Sequence, residues 1–235
     1  MKKIGLIGGM SWESSIEYYR IINQQVREVL GGVHSARSVM VSVDFGEIEK
    51  LQAEGNWEEA TKIMVQCARE LEGAGADFVL ICTNTMHLMA DDVQEAIGIP
   101  LLHIADATAR AVQKAGLTGV GLLGTRFTME KDFYRGRLEK RHHLRVFVPD
   151  EEGRETVHRI IYDELVQGKI LQESREKYLS VIHNLFEAGA EGIILGCTEI
   201  GLLVKQDDVP RPVFDTMEIH AQAAVDVALG RYELR

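Results

Sequence analysis

Two stretches of this chain hold the residues best suited to proton chemistry. Gly189-Ala190-Glu191-Gly192-Ile193-Ile194-Leu195-Gly196-Cys197-Thr198-Glu199 is an apolar run that stops at a thiol followed by a hydroxyl and a carboxylate. An earlier stretch, Gly75-Ala76-Asp77-Phe78-Val79-Leu80-Ile81-Cys82-Thr83-Asn84-Thr85, aligns with it without a gap at an offset of 114 residues. In that register Cys197 faces Thr83, and Cys82 faces Gly196. A free cysteine ionises near a pKa of about 8.5 and nearby helix N-termini lower it, so a thiolate at Cys197 is a usable base. If two related halves face each other, Thr83 and Cys197 form a pseudo-symmetric pair on opposite sides of a cleft. The loop after each strand leads into a helix whose amides can hold an anion.

The elements that position these residues follow from the pattern. Apolar runs without polar interruption read as strands buried on both faces: Lys3 to Ile7, Ser38 to Val43, Phe78 to Cys82 and Leu101 to Ile104 in the first half, then Gly119 to Leu123, Arg145 to Val148, a run ending at Leu195, and Val213 to Phe214. Amphipathic helices separate them. One starts near Ser11 or Glu13 and is stopped by Gly31-Gly32; others span Trp57 to about Gly73, the residues up to about Ala96, a segment from about Asp106, about Glu155 to Val166, about Glu173 to Ala188, and Met217 to Leu229. Asp44-Phe45-Gly46 is expected to open a loop. The landmarks also repeat, with Ile4-Gly5-Leu6-Ile7-Gly8 against Val120-Gly121-Leu122-Leu123-Gly124 and Pro100-Leu101-Leu102 against Pro212-Val213-Phe214. An α/β fold of two pseudo-symmetric lobes is therefore expected, each a parallel sheet flanked by helices. The lobes are assigned as residues 1–98 plus 209–235, and 99–208. Ligands of such sheets bind at the carboxyl ends of the strands.

The totals restrict the function further. At 235 residues the chain has room for two lobes of roughly 100–120 residues. A formal net charge of −10 argues against nucleic acid as a partner, because phosphate binding needs clustered Lys and Arg. No stretch approaches the roughly 18 apolar residues of a membrane span. The amino terminus lacks a cleavable signal pattern and the three cysteines form no disulfide framework, so a cytoplasmic location is expected.

Three loops, Gly8-Gly9-Met10-Ser11, Thr83-Asn84-Thr85-Met86-His87 and Gly196-Cys197-Thr198-Glu199, resemble in order the signature loops of the aspartate/glutamate racemase family. The likeness covers essentially the whole chain and is closest to the amino-acid racemase branch. It implies an active site in the cleft between the lobes, no pyridoxal phosphate or other cofactor, a small amino-acid substrate, and a homodimer. It also implies a two-base reaction in which a thiol from each lobe flanks the α-carbon. Two groups are needed because a single base tends to return its proton to the face it came from. By the same resemblance Cys197 attacks the L-enantiomer. The family's Cys-Asn-Thr reads Thr83-Asn84-Thr85 here. A Thr hydroxyl cannot rest as a base at neutral pH, yet it can donate a proton to a carbanion. The expected activity is thus racemisation of L-aspartate- or L-glutamate-type substrates by Cys197 and Thr83, strongly favouring the L-to-D direction.

Further residues complete the expected site. Asn84, Thr85 and Thr198 offer amides and hydroxyls to an α-carboxylate, while Glu199 can meet the ammonium group. Helix capping by these Thr and Asn residues is compatible with that use. Met10 and Ser11 stand in the family's first binding loop, Thr125 in the equivalent loop of the second half, and Gln52 is placed in the cleft from the loop after the second strand. Arg126 and Lys50 are the cations available for a distal carboxylate. His87 and His103 read as satisfied structural histidines before they read as cleft residues. His142-His143 reads as surface, with no third ligand at zinc spacing, so no metal is expected. Gly5-Leu6-Ile7-Gly8-Gly9 is not a dinucleotide fingerprint and no phosphate-binding P-loop occurs. A non-catalytic amino-acid sensor of the same fold is the alternative that the Thr83 departure keeps open.

Overall fold

In the computed structural model, which describes residues 1–234, the elements run β1 (Ile4–Gly8), α1 (Trp12–Leu30), β2 (Ser38–Ser42), α2 (Phe45–Glu54), α3 (Trp57–Gly73), β3 (Phe78–Ile81), a short 3₁₀ helix (Thr85–Met89) and α4 (Ala90–Glu95). They continue with α5 (Ile104–Lys114), β4 (Gly119–Gly124), α6 (Arg126–Glu130), α7 (Arg135–His142), β5 (Arg145–Phe147), α8 (Glu151–Asp163), α9 (Gln172–Glu187), β6 (Gly192–Gly196), α10 (Ile200–Leu203), β7 (Val213–Asp215) and α11 (Thr216–Ala228). The unbroken apolar runs β1, β3, β4 and β6 are buried at every residue, as strands covered on both faces must be.

The chain divides into two compact units. The first comprises Met1–Ile104 and the segment from His220 onward. Its parallel sheet has the order β2-β1-β3, and a single parallel bridge joins Val79 to Leu101. Helix α3 and the 3₁₀ turn cover one face: Met64, Cys67 and Leu71 of α3 share a core with Ile7, Val79, Ile81, Met86 and Met10.

The second unit, Ala105–Ile219, holds a parallel sheet ordered β5-β4-β6-β7. Val157, Ile160 and Ile161 of α8 and Tyr178, Ile182 and Leu185 of α9 pack on Leu123, Ile193 and Leu195. The internal repeat appears here as strand register. Ile4 pairs with Phe78 where Val120 pairs with Gly192, and Val79 meets Leu101 where Ile193 pairs with Val213.

Several segments depart from the sequence reading. Asp44 caps a helix instead of opening a loop, its Oδ1 accepting the Gly46 N–H at 2.9 Å, so Gln52 lies on α2. Leu101 to Ile104 is not a strand but one bridge, because the chain turns into α5 at Ile104. Helix α8 begins at Glu151, four residues before the expected start, since Asp150 accepts the Gly153 N–H at 2.8 Å. The second unit ends at Ile219 because β7 hydrogen-bonds to β6, which keeps residues 213–215 in that unit.

Of the expected surface pair His142-His143, His143 is exposed but His142 is half-buried. Its Nε2 lies 2.8 Å from Asp106 Oδ1, and Arg137 binds the same carboxylate through Nε and a terminal nitrogen at 2.7 and 2.8 Å. Burial alone would raise the Asp106 carboxyl, but Arg137 and then His142 hold it below its ordinary value. The network ties α5 to α7 inside the second unit.

Candidate active site

The strand ends carry the site. In unit 1 every residue from Phe78 to His87 is buried except Thr83, and in unit 2 every residue from Gly192 to Ile200 is buried except Cys197. Each exception follows a fully buried parallel strand, β3 or β6, at the end where such sheets bind ligands. Cys82, one residue earlier, is 1% exposed and its thiol is pushed far up by burial, so it packs under the loop. Cys67 lies in the α3 core, and burial pushes its thiol up to about 11.

Cys197 does not rest as a thiolate. Its Sγ–H donates to Glu199 Oε2 at 3.1 Å, and the Thr198 hydroxyl donates to the same oxygen at 2.7 Å. Desolvation, followed by the charge and hydrogen bond of Glu199, raises the thiol well above its ordinary value. The backbone amides of Glu199 and Thr198, in the loop before α10, pull the other way and are outweighed. The resting group is a protonated thiol with a buried carboxylate as its acceptor.

Thr125 follows β4, whose end pairs with the end of β6. Gly124 pairs with Gly196, and the Thr125 hydroxyl caps α6 by accepting the Thr128 N–H at 3.3 Å. A Cβ on Gly196 would stand 2.7 Å from the Leu123 carbonyl oxygen, so the strand can approach β4 this closely only with glycine before the cysteine.

In unit 1 the first loop is held by serines. Ser15 Oγ accepts the Gly9 N–H and donates to the Ser11 carbonyl, both at 2.8 Å, while the Ser11 hydroxyl caps α1. Gly9 has φ +91°, and a Cβ there would collide with the Val43 carbonyl. Gly9→Ala is therefore expected to destabilise the protein by about 3 kcal/mol, read as a lowered urea midpoint. Met10, Ser11 and Gln52 are all buried. Gln52 approaches the Thr85–Met89 turn, its Nε2 3.2 Å from Met86 Sδ. Met10, Met86 and Ile48 share one core, so the first loop, α2 and the Thr83 loop belong to one packed group.

Neither expected cation lies in these loops. Arg126 pairs with Glu155 and Lys50 with Glu54, all with side chains roughly half or more exposed. Among the described residues no group of three His, Cys, Asp or Glu side chains is placed to hold a metal ion, and no helix is long and apolar enough to cross a membrane. His87 is a satisfied structural histidine, as expected: it is buried, and its ring nitrogens meet the Thr83 carbonyl and the Ile104 amide.

Two repeated parallel α/β units, each with one less-buried polar residue in the loop after a buried strand, define a class of protein with candidate chemistry at its strand ends. The chain belongs to the Asp/Glu/Hydantoin racemase family, whose sequence profile matches residues 7–224. It is 56% identical to a candidate Asp/Glu racemase from Yersinia pestis, with a TM-score of 0.92 covering 97% of this chain and 100% of that one. An aspartate racemase homologue from Pyrococcus horikoshii OT3 is 39% identical, with a TM-score of 0.85 and the same coverage of 97% and 100%. The broad specificity amino-acid racemase RacX of Bacillus subtilis is 23% identical over 180 residues, 74% of each chain.

Proposed function

We propose that this chain racemises L-aspartate- or L-glutamate-type amino acids without pyridoxal phosphate, with Cys197 as the base on the L side and Thr83 as the proton donor to the other face. The observation that carries this reading is the matched exposure of Thr83 and Cys197 in otherwise buried loops. Family membership supports the reaction class. The Cα–H bond breaks as an S–H bond forms at Cys197, leaving a carbanion. The Thr83 O–H bond then breaks as a new Cα–H bond forms on the opposite face, and exchange with water restores the starting protonation of both residues. Asn84, Thr85 and Thr198 bind the α-carboxylate, while Met10, Ser11, Gln52 and Thr125 shape the surroundings.

Glu199 links binding to activation. Cys197 must release its resting proton to water before it can take one from Cα, and the Glu199 charge opposes that loss. A substrate ammonium group that pairs with Glu199 cancels this charge and makes the thiolate accessible only when substrate is present. Glu199→Gln is accordingly expected to speed alkylation of Cys197 by iodoacetamide about tenfold at neutral pH while lowering turnover of L-substrates about 100-fold. Slower alkylation would show that the carboxylate does not hold the thiol up.

The activity itself is tested by proton NMR of L-Glu, L-Asp and their D-enantiomers in D2O with purified protein and no added cofactor, combined with chiral chromatography. Loss of the α-proton and inversion from the L side are expected. Tight binding of an amino acid with no α-proton loss would replace the racemase by the sensor.

A further inference from the structure

Thr83 needs a fixed backbone if its hydroxyl is to meet a carbanion, and one buried side chain supplies it. His87 is 2% exposed and lies in the 3₁₀ turn that follows Thr83. Its Nδ1 stands 2.7 Å from the Thr83 carbonyl oxygen, which can only accept. Its Nε2 stands 3.2 Å from the Ile104 amide, which can only donate. The two contacts define the tautomer, a neutral imidazole protonated at Nδ1. Both ring nitrogens are thereby committed to main-chain groups, one at Thr83 and one at Ile104, the first residue of α5.

The ring is also packed among other rings. His103 lies with its centroid 4.5 Å away and His220 with its centroid 5.8 Å away. His220 has complementary bonds of its own, accepting the Tyr18 hydroxyl at Nδ1 and donating from Nε2 to the Leu102 carbonyl, each at 2.9 Å. Residues 102 and 104, on either side of His103, are thus each held by a buried histidine. Imidazole rotation at His87 would break two backbone bonds and disturb this packing.

We infer that His87 is a positioning residue for proton return, clamping the Thr83 carbonyl to the start of α5 so that the Thr83 hydroxyl keeps one orientation. The inference rests on the racemase reading and extends it to a residue that touches no substrate. Misplacement of a reacting group by about 1 Å costs on the order of 100-fold. Loss of the clamp therefore appears in the step that uses Thr83.

The test is a double-mutant cycle on inversion of L-aspartate and L-glutamate, with His87→Asn, Thr83→Ala and the pair. Asparagine can keep the donor to the Thr83 carbonyl but not the reach to Ile104, and His87→Gln tests the opposite half of the clamp. His87→Asn is expected to lower kcat for inversion at least about tenfold with KM within about twofold. It should add nothing in the Thr83→Ala background. The ratio of D-product formed to α-proton lost in D2O should fall with kcat. Additive losses, or equal losses of exchange and inversion, would make His87 a purely structural residue and overturn the inference while leaving the racemase reading intact. No α-proton loss with wild-type protein would remove the racemase reading and this inference together. Nitrogen NMR of the wild-type protein checks the clamp independently of any variant's folding. A His87 ring protonated at Nε2 in the resting state would sink it.

Discussion

Cys197→Ala is expected to abolish loss of the α-proton from L-aspartate and L-glutamate, a fall of about 10⁴-fold or more, while leaving the fold in place. The thiol follows β6, the strand that pairs with both β4 and β7, so its backbone is held from two sides. The two residues before it and the three after it are buried, and Glu199 Oε2 keeps the Thr198 hydroxyl as a donor after the thiol is gone. The variant therefore loses the proposed proton acceptor without losing the loop. Its thermal midpoint should move by no more than a few degrees, since a partly exposed side chain leaves little cavity. Cys82→Ala gives the opposite pattern. That thiol lies fully enclosed beneath the Thr83 loop, so its removal should cost about 1–2 kcal/mol of stability and leave α-proton exchange within about threefold. Exchange that survives in Cys197→Ala but is lost in Cys82→Ala would assign the base to the wrong strand end and end the proposed mechanism.

The parts of this molecule that could be read from sequence are those with local causes. Strands β1, β3, β4 and β6 announced themselves as unbroken apolar runs because both faces are buried, and the repeat matched Thr83 with Cys197, the two residues less buried than their neighbours after β3 and β6. What escaped depends on pairings between distant residues or on competition between opposing effects. Helix α7, Arg-Gly-Arg-Leu-Glu-Lys-Arg-His, has almost no apolar stripe; the bonds of Arg137 and His142 to Asp106 span 31 and 36 residues. Helix α2 hid behind Asp44-Phe45-Gly46, where aspartate and glycine suit a loop and a helix cap equally well. At Cys197 the sequence identified the helix-start amides that lower a thiol pKa. It could not weigh them against burial and a carboxylate that folds back onto the sulfur. That balance shapes the proposed mechanism, because it replaces a resting base with a thiol that must be activated.

Thr83→Cys should raise kcat with the D-enantiomer about 100-fold, the largest gain any single change offers here. A racemase interconverts enantiomers of equal free energy, so kcat/KM must be equal in the two directions whatever residues it uses. The asymmetry proposed for the wild type can lie only in kcat and KM separately. A D-substrate meets a resting site whose residue on its side is a hydroxyl, binds without reacting, and waits for the rare state in which Thr83 has lost its proton. Its kcat should be low, its KM low by the same factor, and it should inhibit the L-to-D reaction competitively at concentrations near that KM. A cysteine at 83 ionises several pKa units more readily than threonine, so the reactive state ceases to be rare. Both D-side constants should rise together, D-side kcat/KM staying tied to the L-side value, and the α-proton of D-glutamate or D-aspartate should exchange in D2O at a rate comparable with the L-enantiomer. Progress curves from each enantiomer, fitted for kcat and KM separately, decide the point. Wild-type protein that already gives equal kcat from both sides has no asymmetry for Thr83 to explain. A Thr83→Cys variant that binds D-glutamate but still fails to exchange its α-proton would place the second proton-transfer group elsewhere than residue 83.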